Sequence, residues 1–147
     1  MQALVDPKAE WAEMLHEAWR IERDFYWDPQ MGGLDWPKIE KRYGQKARVM
    51  KQALAEHFPP NVEIWESGGG LYFWARLPKN VSTGTNSKVF RTALKNDVLY
   101  VPGELCYADD PARKKPDHEM RISFGSASEE NIREGIRRLG KVLKKFV

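Results

Sequence analysis

Pro59-Pro60 divides this chain into two regimes of hydrophobic spacing. Ahead of the prolines, apolar residues recur at Trp36, Ile39, Tyr43, Ala47, Met50, Leu54 and Phe58. That spacing follows the 3.6-residue period of one helix face. Beyond them, Leu71, Phe73, Ala75 and Leu77 alternate with Tyr72, Trp74 and Arg76. A period of two sends successive side chains to opposite faces of a strand. A chain carrying both patterns must pack helices against a sheet. The expected class is α+β, with helices on one face of a small, largely antiparallel sheet.

The remaining elements follow from punctuation. Asp6-Pro7 supplies a cap and a proline at the first helical position, where a missing N–H costs nothing. Trp11, Met14, Leu15, Ala18, Trp19, Phe25 and Tyr26 then share one helical stripe. This stripe is expected to pack as core, until Trp27-Asp28-Pro29 ends the helix. Asp35 is a plausible cap for the next helix, expected over residues 35–58 and crossing Gly44, with a kink at that glycine as the alternative. After Pro60 the order is a short strand at 63–66, a Gly68-Gly69-Gly70 hairpin, the Leu71–Leu77 strand, and a helix capped by Asn86 or Ser87 with Val89, Phe90, Ala93 and Leu94 on its stripe. A third strand, Val98–Val101, stops at Pro102-Gly103, and Glu104–Glu119 reads as loop. Met120–Phe124 is a strand with Met120, Ile122 and Phe124 inward. Ser128 caps a last helix striped by Ile132, Ile136, Leu139, Leu143 and Phe146. Glu129 and Glu130 suit the positive end of that helix, and Lys144 and Lys145 the negative one.

Composition narrows the function classes. At 147 residues, 41% hydrophobic and 31% charged, the chain has the make-up of an ordinary globular protein. A net charge of +3 falls short of a nucleic-acid footprint unless the charge is clustered. The single Cys106 excludes an internal disulfide and any cysteine-rich metal site. No apolar run reaches membrane-spanning length and the start lacks a signal peptide's pattern, so a cytoplasmic location is the default expectation.

Four segments in order, Ala53–Pro60, Gly69–Trp74, Leu99–Gly103 and Arg121-Ile122-Ser123-Phe124-Gly125, resemble the small, C-terminal domain of class I/II pyridoxal-phosphate aminotransferases over about residues 48–147. Two departures stand out. Cys106 occupies a position where that family usually has phenylalanine, and the charged 109–119 loop is longer than in many members. In that family the arginine of the last strand grips the substrate's carboxylate, which the resemblance assigns to Arg121 as a remnant. The family's large domain, with its Schiff-base lysine, has no counterpart here. Residues 5–43 resemble the helical segment opening the protease core of tricorn-type serine peptidases, through Val5–Trp11, Glu17–Arg20, Arg23–Pro29 and Gly33–Trp36. That family's catalytic residues have no counterpart either. The two resemblances meet inside one expected helix, between Tyr43 and Arg48. They imply domains at 1–47 and 48–147 that share it, and a chimera made by helix fusion.

The residues support little chemistry of their own. For Arg121 the plain alternative is pairing with a local acid, Glu66 or Glu119. The glycines at 68–70 lack a following helix and Gly-Lys-Ser/Thr, so phosphate cradling fails. His16, His57 and His118 are dispersed, with no metal-ligand spacing among them. No serine stands in a nucleophile elbow. Lys95, Lys114 and Lys115 sit in polar contexts, unlike a desolvated Schiff-base lysine. Tyr72 and Trp74 beside Arg76 invite a single-stranded RNA reading, but the basic-Gly-aromatic signature is lacking. The basic residues of the last helix read as its solvated face. No catalytic residue, cofactor or metal is expected, and no nucleic acid, membrane or tight small-molecule ligand. A homodimer through exposed aromatic surface is the expected partner class.

Overall fold

The computed structural model of the protein describes residues 13–14, 16–18, 20–21, 33–66 and 70–147. By their internal contacts the residues group into two compact units. These are Met1–Arg42 with Gly68–Gly70, and Tyr43–Ser67 with Leu71–Val147.

In the first unit, residues 13, 14, 16–18, 20 and 21 are helical. Of the stripe expected to be core, two members are described, and neither is buried within the single chain. Met14 is 65% exposed and Ala18 is exposed too, so the face they share at i,i+4 spacing meets solvent. Trp11, Leu15, Trp19, Phe25 and Tyr26 lie outside the described residues.

Helix α1 runs Trp36–His57 without a break at Gly44. Its start is set by Asp35, whose carboxylate accepts from the backbone N–H of Lys38 at 3.1 Å. Its inward face, Val49, Met50, Ala53 and Leu54, is fully buried. A methyl group added at Gly44 would meet only Arg48 Nη1, at 3.8 Å. The glycine therefore costs the helix backbone entropy and gains no close approach. Gly44→Ala is expected to raise stability by about 0.5–1 kcal/mol in urea unfolding; a loss of stability would show that the backbone there is not ordinary helix.

Strands β1 (Glu63–Glu66), β2 (Tyr72–Arg76), β3 (Val101–Pro102) and β4 (Glu119–Ser123) form one sheet in the order β1-β2-β4-β3, every pair antiparallel. Gly70, with φ +97°, adopts the left-handed backbone that suits the turn into β2. Residues 67–69 of that turn lie outside the described residues. Phe73, Ala75, Met120 and Ile122 point to one face and are buried there with α1 and the last helix. Helix α2, Lys88–Lys95, is capped by Ser87 Oγ accepting from Phe90 N–H at 3.0 Å. Helix α3, Glu129–Leu143, is capped by Ser128 Oγ accepting from Asn131 N–H at 3.1 Å. Its Ile132, Ile136, Leu139 and Leu143 complete the core.

Several local expectations need correction. Residues 98–100 are not strand: Asp97 takes a left-handed φ of 59°, and Val98 N–H donates to Ala93 O at 3.0 Å, so the helix end consumes the donor a ladder would need. Only Val101, with Pro102, pairs with β4. Leu94 is 46% exposed, because in a helix of two turns Val89 and Ala93 already face the core and Leu94 is rotated away. Leu71, placed on one face with Phe73, Ala75 and Leu77, is 42% exposed while those three are buried, and it lies just ahead of β2. The segment after β3 is also more regular than a loop, forming a 3-10 turn over Gly103–Cys106.

Candidate carboxylate-binding site

The second face of the sheet carries Tyr72, Trp74 and Arg76 from β2 and Glu119, Arg121 and Ser123 from β4. Cross-strand partners on it are Trp74 with Arg121 and Arg76 with Glu119. The 3-10 turn and Tyr107 fold over one end, making a groove of 480 Å³. Tyr72, Trp74 and Tyr107 give it aromatic walls, Val101, Leu105 and Cys106 its rim, and Arg121 its one charge.

Arg121 is half-buried. Its guanidinium carbon lies 5.2 Å from the centre of the Tyr72 ring, within cation–π range, and its buried Nε has no hydrogen-bond partner. Neither acid that could have taken it does so. Glu66 pairs with Lys51 at 2.6 Å. Glu119 is 1% exposed and spends both carboxylate oxygens elsewhere. Its Oε1 accepts from Arg76 Nε at 2.8 Å, and its Oε2 accepts from Trp74 Nε1 at 3.1 Å and Tyr107 O–H at 2.6 Å. Burial pushes the Glu119 carboxyl up, but the hydrogen bonds from Tyr107, Arg76 and Trp74 outweigh it and hold the group below its ordinary value. Tyr107 is shifted the other way, upward, by its bond to that carboxylate.

Sequence reading did not find this cluster. Arg76 and Glu119 carry opposite charges, but the sequence reading left Glu119 at the end of a loop, and their pairing follows from its place in β4 and from the register. Nor did it find Lys46, 6% exposed on α1, whose Nζ donates to Gly125 O at 2.9 Å and lies 5.3 Å from the Tyr43 ring centre. The basic face of α3 is less free than expected, since Glu134 binds both Arg137 and Arg138 and is held at about 2 by them. His57 and His118 neighbour different acids, Glu56 and Asp117. Among the described residues no group of His, Cys, Asp and Glu could hold a metal ion, and no helix is long and apolar enough to cross a membrane. A second cavity of 440 Å³, between the end of α1 and β1, is walled mainly by Leu54, Phe58, Pro59, Val62 and Ile64 and offers little chemistry.

Comparison with known proteins gives two answers for one chain. The tricorn protease C1 domain family matches residues 7–53, and Tricorn protease homolog 1 of Streptomyces coelicolor is 39% identical over 67 residues, 46% of this chain and 6% of that protein. An uncharacterized aminotransferase of Saccharolobus solfataricus is 36% identical over 108 residues, 74% of this chain and 25% of that protein. The crystal structure of a multiple substrate aminotransferase from Thermococcus profundus superposes with a TM-score of 0.68 at 31% identity, covering 87% of this chain and 29% of that one. The chain is thus aminotransferase-like over most of its length and tricorn C1-like at its N-terminal end. It spans about a quarter of the length of the curated aminotransferases it matches.

Pyridoxal phosphate comes with the aminotransferase resemblance, and the groove does not fit it. Its lining holds no lysine and one cation. Lys46, the buried amine, is bound to Gly125 O and does not line the groove.

Proposed function

We propose that this chain is a catalytically silent, aminotransferase-like small domain carried behind a tricorn-like segment, whose remaining chemistry is weak capture of carboxylates at Arg121. The observation that carries the reading is the arginine's isolation: Glu66 and Glu119 are both engaged elsewhere, Arg121 lines the groove, and its buried Nε has no partner. A planar guanidinium suits a carboxylate in bidentate geometry. The contact stays partly solvated, and exposed pairs of this kind contribute about 0–1 kcal/mol. Aromatic surface beside it adds the rest, for a Kd of about 1 mM.

The overlap of both resemblances within α1 supports an origin by deliberate helix fusion, with domains at 1–47 and 48–147 sharing that helix. The same reading takes the chain as cytoplasmic, without nucleic-acid or membrane partners. It includes a homodimer through exposed aromatic surface, where Tyr72 is 42% exposed. Light scattering that returns the monomer mass at high concentration would remove that part.

The test of carboxylate capture is a titration with acetate and phenylpropionate, followed by NMR at the arginine Nε–H and indole N–H resonances. Saturable shifts at Arg121 and Trp74 are expected in the wild type and lost in Arg121→Gln. Equal shifts in both proteins, or none in either, would refute the reading.

A further inference from the structure

The second sheet face carries two arginines, and of these Arg121 pairs with no acid among the described residues. Arg76 and Arg121 stand diagonally across β2 and β4, because Arg76 pairs in register with Glu119 and Trp74 with Arg121. Diagonal neighbours of this kind are about 7–8 Å apart. Two free cations on diagonal positions of neighbouring strands would suit a dicarboxylate. Glu119 prevents it by neutralising Arg76 at 2.8 Å, and Arg76 is drawn further away by the Trp65 ring at 4.2 Å and by Glu63 at 3.6 Å. The second oxygen of the same carboxylate fixes Trp74 and Tyr107, whose rings meet edge to face with centres 6.0 Å apart.

We propose that Glu119 is the positioning residue that makes this groove selective for monocarboxylates with a flat apolar tail. It acts through two neighbours at once: it removes the second cation, and it holds the aromatic wall against which the tail lies. Close packing supports the placement. A methyl group at Gly103 would fall 2.7 Å from Glu119 Cβ and 2.8 Å from its backbone oxygen, so the 3-10 turn lies directly on this residue. The inference rests on carboxylate capture at Arg121.

Wild-type protein should bind phenylpropionate at least about threefold more tightly than glutarate, by the same NMR titration. In a Glu63→Gln background, which removes the other acid on Arg76, Glu119→Gln keeps an oxygen for Trp74 and Tyr107 and leaves Arg76 without an acid. It should bring glutarate level with phenylpropionate or ahead of it. Tyr107→Phe keeps the ring and loses one hold on it. It should weaken phenylpropionate about threefold or more and leave acetate unchanged. Two results overturn the proposal: a selectivity ratio unmoved by Glu119→Gln in that background, or a Tyr107→Phe effect equal for acetate and phenylpropionate. Should Glu119→Gln fail to fold, the Tyr107→Phe comparison decides alone. Arg121-dependent binding without these shifts removes the role of Glu119 only. Absence of any Arg121-dependent binding removes both the role and the capture.

Discussion

Truncating Leu139 to alanine is expected to destabilise the protein by about 2–5 kcal/mol, the range for emptying a closed core site. Leu139 is 0% exposed and lies on α3 between Ile136 and Leu143, the row that faces the sheet. It belongs to one buried cluster with Met50 and Ala53 of α1, all at 1% exposure or less, so little can collapse into the space at no cost. For a unit of about 100 residues each kcal/mol lowers Tm by about 4–8 °C. A fall of at least about 10 °C should follow in a thermal melt. A change of only a degree or two would mean that α3 is not packed as described.

Gly140→Ala should cost about 1–3 kcal/mol, the usual penalty for overpacking. This is the reverse of the gain expected at Gly44, although both glycines lie inside helices and both substitutions raise helix propensity by about 1 kcal/mol. Space decides the sign. At Gly140 the added methyl would sit 2.5 Å from His57 O and 2.9 Å from His57 C, backbone atoms at the end of α1 that cannot rotate away. Paired urea melts of Gly44→Ala and Gly140→Ala test this directly. A stabilised Gly140→Ala would show that α1 and α3 do not approach backbone to backbone.

Elements whose signal is local were legible in the sequence. The stripe from Trp36 to Phe58 became one helix, Asp35, Ser87 and Ser128 cap as their side chains predict, and the alternation in β2 sorts Phe73 and Ala75 inward. Features set by tertiary competition were not. Val98 reads as strand, yet its N–H is taken by the preceding helix. Leu94 fits an apolar stripe that a helix of two turns cannot bury on both sides. Arg121 was found through resemblance, but its freedom could be known only once Glu119 was seen to hold Trp74, Arg76 and Tyr107. Lys46 sits one position before Ala47 of the apolar stripe, and nothing local distinguishes a lysine that will be buried against Gly125 O from one that reaches water.

We propose that this aminotransferase-like fold offers carboxylates a groove without the chemistry of a Schiff base. Incubation with pyridoxal phosphate, reduction with borohydride and peptide mass mapping tests it most directly. Scattered, substoichiometric labelling across exposed lysines is expected, with Lys46 protected by its bond to Gly125 O and no protection by phenylpropionate. One full equivalent fixed at a single lysine, Lys46 above all, and displaced by a carboxylate, would contradict it.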